Sequence, residues 1–408
     1  MSSASPFVFL PKFAFAAIVD DMLCNPHCKS CSHLHLSKDE SLTLKLSYLQ
    51  ARLNPWASFI EPVRSVDDDN RMHYRDKVSL AMQFNGSTWQ IGMLRRDILI
   101  PVFGCPIHTP RVNEVMNLIA RYLPDNNTIP AVRFIQSGKQ LTLVIKSNKL
   151  PENGWMTDEF KTAFFRAGME GLWLHLFPSA GKKVFGKGGW HLVLGAPESK
   201  DNDGLLYGPA AFRQLLPLLA DEALNEATTF LNPDIKSIVA DLYCGTGGSL
   251  RKFTATGATA TGVELFGESV RFAALNAPAA KVFRGTCTQR FPQLNQLLHQ
   301  NPGKTRLLYA NPPRTGLETG IIQWITNEYR PMRIAYLSCN ALTLRNDLAL
   351  LTDYGYSVNK IIPFDFFPQT RHVETLSLLT LKKRRGPPIT GSPLQITKTS
   401  FTNLSYDL

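Results

Sequence analysis

The stretch Ile238-Val239-Ala240-Asp241-Leu242-Tyr243-Cys244-Gly245-Thr246-Gly247-Gly248 runs from apolar residues through an acid into a glycine-rich turn. A short apolar run bounded by turn residues reads as a strand buried on both faces. Glycines directly after it let the backbone turn tightly and come close to a ligand. Glu264 ends the next apolar run, Ala260-Thr261-Gly262-Val263, 17 residues beyond Gly247. An acid there can accept both hydroxyls of a ribose. Leu307-Leu308-Tyr309-Ala310 and Ile334-Ala335-Tyr336-Leu337 supply two further strands with helical patterns between them. The spacing predicts a Rossmann-like, doubly wound α/β sheet.

Asp-x-x-x-Gly-x-Gly followed by Gly-Val-Glu resembles the S-adenosylmethionine site of class I methyltransferases more than a nicotinamide site. Asn311-Pro312-Pro313-Arg314 follows the strand ending at Ala310 and gives a rigid backbone beside that site. Amino methyltransferases carry an aromatic residue after the prolines to stack the target base. Arg314 suits phosphate or carboxylate contact instead. Two more motifs follow, Ser338-Cys339-Asn340 and Phe367-Pro368-Gln369-Thr370-Arg371-His372-Val373-Glu374. C5 of uracil is a poor nucleophile until a thiolate adds to C6, and a base must then remove the C5 proton. Cys339 and Glu374 supply that nucleophile and that base at one predicted sheet edge. Taken singly, Cys339 reads as a small buried hydrophobe and Glu374 as a solvated strand-end charge.

The four motifs, in this order, resemble those of the bacterial RNA uracil-C5 (5-methyluridine) methyltransferases. The resemblance covers most of residues 20–380 and implies Cys339 as nucleophile and Glu374 as base. It implies a methyl donor, S-adenosylmethionine, held at Tyr243, Glu264 and Asn311, and Asp241, Gly245 and Gly247 of the glycine turn are expected as further donor contacts. The Asn form of the Pro-Pro-Arg motif is closest to the short 23S rRNA enzyme that lacks a TRAM domain. Family members carry a donor-binding Gln in a Phe-x-Gln-x-Asn stretch before the first strand. Leu205-Leu206-Tyr207-Gly208-Pro209 stands near that place, so Tyr207 is expected to substitute. Tyr74-Arg75-Asp76-Lys77, Gly92, Arg95 and Cys105-Pro106 continue the resemblance upstream, with Asp76 replacing the usual Asn.

Cys24, Cys28 and Cys31 are spaced C-x3-C-x2-C, and Cys105 is a fourth candidate. Four thiolates can close around a [4Fe-4S] cluster, as the resemblance implies, or around zinc. The same spacing marks radical S-adenosylmethionine enzymes, which need a (β/α) barrel and no fourth ligand. His27, His33 and His35 read as loop histidines.

The chain has 408 residues, seven cysteines, 44% hydrophobic residues and a net charge of +11. Basic charge suits a polyanionic partner, because Lys and Arg release phosphate counterions. The absence of a membrane-length apolar run, and of a basic leader before Phe7 to Val19, points to a cytoplasmic protein, taken as a monomer. RNA is the expected partner, 23S rRNA before tRNA. The expected units are 1–110 (Cys cluster and strands, iron-sulfur, RNA contact), 111–200 (central α+β), 205–385 (methyltransferase) and 386–408 (disordered tail). Within them, Asn85-Gly86 signals a two-residue hairpin, Glu198 to Gly204 a linker, and Ala210 to Thr228 a helix. Trp56, His73, Tyr74 and Trp89, interleaved with Arg64, Arg71, Arg75, Arg95 and Arg96, read as an RNA face or partly as core. Gly181 to Gly188 misses a P-loop, since Gly188 stands where Ser or Thr is needed. Lys382 to Arg385 is a basic run able to touch phosphate. A radical RNA methyltransferase and a non-catalytic RNA binder that keeps the fold are the alternatives.

Overall fold

The computed structural model describes residues 24–181, 183–186 and 188–382. The expected tail 386–408, the stretch Phe7 to Val19, and the basic residues beyond Lys382 lie outside the described residues.

Helix α1 (Lys38–Arg52) starts at a capping box. Ser37 Oγ accepts from the Glu40 N–H at 3.3 Å, and the Glu40 carboxylate accepts from the Ser37 N–H at 2.8 Å. The first sheet then builds from β1 (Lys77–Phe84), β2 (Trp89–Arg95) and β3 (Ile98–Pro101). Helix α2 (Pro110–Tyr122) leads to β4 (Ala131–Ser137) and β5 (Gln140–Ile145). Helix α3 (Asp158–Arg166), β6 (Gly171–Leu176) and β7 (Trp190–Gly195) complete it. The seven strands run in the order β3-β2-β1-β4-β5-β6-β7, and only β5 and β6 pair in parallel. The boundary drawn between 110 and 111 therefore passes through one sheet, because β1 pairs with both β2 and β4.

The β1–β2 turn corrects the hairpin by one residue. Asn85 still pairs with Thr88, donating to its carbonyl at 3.1 Å, so Gly86 and Ser87 are the central pair. Gly86 takes the position that needs a positive φ, here 98°. In place of a plain linker, β8 (Ser199–Lys200) and β9 (Leu206–Tyr207) form a two-stranded ribbon.

Helix α4 (Pro217–Leu231) begins seven residues later than the sequence reading placed it. Pro217 disfavours a helical conformation for Leu216 before it, which sits at φ −117°, ψ 87°. Residues 209–216 are thus an irregular arm. The second sheet follows, with β10 (Ser237–Leu242), α5 (Gly248–Ala255), β11 (Thr259–Glu264) and α6 (Gly267–Asn276). Next come β12 (Lys281–Arg284), α7 (Phe291–Gln300), β13 (Thr305–Ala310), α8 (Ile321–Trp324) and β14 (Arg333–Ser338). Helix α9 (Ala341–Asp353), β15 (Tyr356–Phe364) and β16 (Glu374–Leu381) end it. Its order is β12-β11-β10-β13-β14-β16-β15, with β16 antiparallel to both neighbours.

The N-terminal segment clasps this second sheet. Trp56 and Ile60 pack on its core, and Arg64 pairs with Glu222 and Glu226 of α4 at 2.8 and 2.9 Å. Lys45, Arg71 and Asp365 form a buried ionic group, with Arg71 2.9 Å from the carboxylate. Much of the RNA face read from sequence is thereby reassigned. Tyr74 and Trp89 are core residues, Trp89 donating its indole N–H to the Pro124 carbonyl at 2.7 Å. Arg64 and Arg71 are held by carboxylates, whereas Arg95 and Arg96 are exposed. No described helix is long and apolar enough to cross a membrane.

Candidate active site

The carboxyl ends of β10, β11, β13 and β14 open into a cleft of about 2360 Å³ that extends to the first sheet. Ligands bind at this edge in doubly wound sheets because all the parallel strands end there. Tyr207, Tyr243, Gly245, Glu264, Asn311, Cys339 and Glu374 all line it.

The glycine turn is shaped by its own backbone. Tyr243 and Gly245 both have positive φ, 66° and 55°. Glu264 reaches across from β11, accepting from the Gly245 N–H at 3.1 Å and the Phe266 N–H at 2.8 Å. The Tyr243 hydroxyl accepts from the Glu318 N–H at 3.2 Å. Asn311 is tied to the end of β10 by its N–H to the Leu242 carbonyl at 3.2 Å.

Two expected cofactor contacts lie beneath the cleft wall instead. Asp241 is fully buried under α5, where Ser249 Oγ donates to it, and burial pushes its carboxyl up to about 7. Gly247 serves packing: a Cβ there would stand 2.8 Å from Ala273 Cα on α6, and its φ is 86°.

The reacting pair is placed by strand register. Ser338 pairs with Thr375 across β14 and β16, so the next positions outward, Cys339 and Glu374, face one another although 35 residues apart. Asn340 caps α9 through its Oδ1 to the Leu342 N–H at 3.0 Å, while its Nδ2 donates to the Arg314 carbonyl at 3.0 Å. The third residue of Ser-Cys-Asn therefore pins the Pro-Pro-Arg loop beside the thiol. Burial raises the Cys339 thiol, the nearby Glu374 carboxylate raises it further, and the Arg314 guanidinium opposes both. Burial also pushes Glu374 up to about 7, against the Gln214 hydrogen bond and Arg314. His372, on the same loop, is lowered to about 4 by burial and neighbouring cations, so it is neutral at pH 7.

Gln214 is the residue that sequence reasoning missed. Its Nε2 donates to Glu374 Oε2 at 3.4 Å, and it lines the cleft. Phe212-Arg213-Gln214 keeps the Phe-x-Gln spacing, with Leu216 where the family has Asn. Tyr207, which also lines the cleft, has its hydroxyl engaged elsewhere. Its hydroxyl accepts from the Lys139 N–H at 3.1 Å, and the Arg213 guanidinium lies 4.2 Å from its ring centroid, so it packs between the sheets. Asp76, noted as a departure, holds the same Arg213 at 3.1 Å.

The segment from Cys24 to Leu36 straps the two sheets together. Asn25 Nδ2 donates to the Pro101 carbonyl at 3.0 Å, and the His33 N–H to the Gln369 carbonyl at 2.9 Å. Cys31 is pushed up to about 12 by burial and by the thiols of Cys105, Cys28 and Cys24. The four sulfurs thus share one neighbourhood. Among the described residues, however, no group of three or more His, Cys, Asp or Glu side chains could hold a metal ion. The donor set has the chemistry for a cluster but does not close into a ligating group. The radical reading also loses its context. The described C-x3-C-x2-C segment contains no strand, and both large sheets have open strand orders that give no barrel.

The strand order, the glycine turn and Glu264 have the form of the class I S-adenosylmethionine-dependent methyltransferase fold. Residues 288–383, which hold three of the four motifs, match the family model described as tRNA (Uracil-5-)-methyltransferase. The 23S rRNA (uracil(1939)-C(5))-methyltransferase RlmD of Haemophilus influenzae is 26% identical over 376 residues, covering 87% of this chain and 80% of that protein. An uncharacterized RNA methyltransferase of Oceanobacillus iheyensis is 26% identical over 391 residues, covering 88% of this chain and 83% of that protein. Among solved structures, the Pyrococcus abyssi tRNA (uracil-54, C5)-methyltransferase bound to S-adenosyl-L-homocysteine superposes with a TM-score of 0.64. It is 18% identical and covers 86% of this chain and 85% of its own, a likeness of fold. The resemblance read from the motifs holds: over most of its length this chain is similar to RNA uracil-C5 methyltransferases.

Proposed function

We propose that this protein methylates C5 of a uracil base in RNA, with S-adenosylmethionine as donor and 23S rRNA as substrate. The observation that carries this reading is the β14–β16 register, which sets Cys339 opposite Glu374 beside the donor turn. The rRNA assignment leans on the Haemophilus influenzae relative, whose name specifies 23S rRNA.

Glu264, Asn311, Tyr243 and Gln214 would hold the donor, which would supply an electrophilic methyl group on a sulfonium. The Cys339 thiolate adds to C6, and the C5–C6 electron pair becomes an enolate on O4. Arg314 stands where it stabilises the thiolate. C5 takes the methyl group as the sulfonium bond to it breaks. Glu374 then accepts the C5 proton, the C5–C6 double bond returns, and the thiolate leaves. Glu374 ionises near pH 7 and the buried thiol above its ordinary range, so the rate should climb from pH 6 to 9.

The direct test incubates the protein with deuterated-methyl donor and transcripts of 23S rRNA and tRNA, followed by nucleoside mass spectrometry. Labelled 5-methyluridine from 23S rRNA is expected. Label from tRNA alone would move the substrate, and label in another nucleoside would overturn the reaction. Gln214, in the cleft beside Glu374, favours the catalytic reading over a non-catalytic RNA binder.

A [4Fe-4S] cluster on Cys24, Cys28, Cys31 and Cys105 is part of the same proposal; the spacing of these cysteines and their shared neighbourhood support it, and the four would have to draw together to ligate it. It would cross-link the strap to the loop after β3 and takes part in no step above. Anaerobic purification should give a brown protein with about four irons per chain; an iron-free, correctly folded protein would remove the cluster from the account.

A further inference from the structure

Strand alternation gives β6 two unlike faces. Leu172 and Leu174 point into the core beneath α2 and α3. Trp173 and His175 lie on the other face, where His175 pairs across with Trp190 of β7. Phe185 folds back from the β6–β7 loop to join them. The Trp190 ring lies 4.3 Å from His175, 4.9 Å from Phe185 and 6.3 Å from Trp173, centroid to centroid. His175 is the fully buried floor of this group, fixed by the Gly186 N–H donating to its Nε2 at 2.9 Å.

These rings are not ordinary core. Trp173, Phe185 and Trp190 belong to none of the three hydrophobic clusters and are only half-buried. All three line the same cleft as Cys339 and Glu374. Lys183 and Lys200 line it too; both are exposed and in no ion pair among the described residues.

A base that reaches Cys339 must leave its stack, and each of its neighbours then loses a stacking partner. Aromatic faces beside a positive groove are how proteins replace that stacking without reading sequence. We propose that Trp190, Trp173 and Phe185 form a stacking platform for unpaired nucleotides flanking the target uridine, with Lys183 and Lys200 at the intervening phosphates. This inference rests on the RNA reading above and adds which form of RNA is gripped, and where.

The test is fluorescence anisotropy with the full chain and a labelled, uridine-containing single-stranded RNA at fixed salt. Trp190→Ala should weaken binding on the order of tenfold, and Trp190→Phe should recover most of it. Lys183→Ala should weaken it less and reduce the salt slope by about one. Calorimetric binding of S-adenosylhomocysteine should be unchanged in all three, which reports that the fold is intact. Trp190→Ala binding within twofold of the unaltered protein would overturn the platform. So would equal competition by a duplex of the same sequence. No methyl transfer enters these readouts, so they fail independently of the reaction proposed above.

Discussion

The two seven-stranded sheets use their strands in different ways. In the parallel part of the second sheet every strand ends on the same edge, so residues just past the strand ends meet in one crevice. Tyr243, Asn311 and Cys339 occupy such positions, Glu264 ends its strand there, and antiparallel β16 adds Glu374 by starting where β14 stops. In the first sheet antiparallel neighbours end at opposite edges, so no edge gathers function. Its useful surface is a face, built by alternation, as Trp173 and His175 show. Reaction chemistry thus concentrates in short motifs at an edge, while grip is spread over residues that form no motif.

The sharpest way to break this division is Cys339→Ala. Turnover should fall by at least ~10⁴-fold in a single-turnover methylation assay. RNA binding by the first sheet should persist. Loss of RNA binding as well would mean that the two regions do not divide the work.

Asp365→Ala tests whether the regions are clasped as one body. The carboxylate satisfies Lys45, Arg71 and Ser65, all drawn from the N-terminal segment. Removing one partner of a buried ionic group strands the others and should cost about 3–5 kcal/mol in denaturant unfolding. A loss below 1 kcal/mol would show that the clasp is incidental.

Glu374→Gln should slow product formation by ~10²–10³-fold while letting the Cys339–RNA adduct accumulate. It should also stabilise the protein at alkaline pH. The folded carboxyl titrates near 7, above its unfolded value, so its contribution favours folding at low pH and is lost as pH rises through 7. Unfolding free energy at pH 8 should therefore rise by up to about 3 kcal/mol relative to the unaltered chain. An unchanged or lower value at pH 8 would contradict the buried charge.

The smallest effects separate Gln214 from Tyr207. Gln214→Ala should weaken donor affinity by about tenfold and move the rising limb of the pH profile to higher pH. The amide now holds the Glu374 carboxyl down. Tyr207→Phe should cost about 1 kcal/mol of stability, from the lost Lys139 bond, and leave donor affinity unchanged. The reverse pattern would restore Tyr207 as the donor contact.

The sequence made the second sheet readable because strand-end glycines, prolines and acids have few uses other than turning the chain at a ligand. Gln214 escaped because residues 210–216 were read as the start of a helix. Pro217 disfavours a helical Leu216, and that local signal marks Phe212-Arg213-Gln214 as an arm. Asp241 and Gly247 were assigned to the ligand because a motif does not distinguish residues that touch it from residues that shape the turn. The Trp190 platform could not be read at all, since half-buried aromatics at period two look the same as core in a sequence. Likewise the pairing of β1 with β4, which joins the two expected N-terminal units, is a long-range register that no local pattern encodes.

The most direct test of the central claim is intact mass spectrometry of the protein incubated with S-adenosylmethionine and RNA carrying 5-fluorouridine. Fluorine at C5 cannot be removed as a proton, so the account predicts a methylated RNA–protein adduct that maps to Cys339 and is absent in Cys339→Ala. No adduct, or one that survives that substitution, would contradict it.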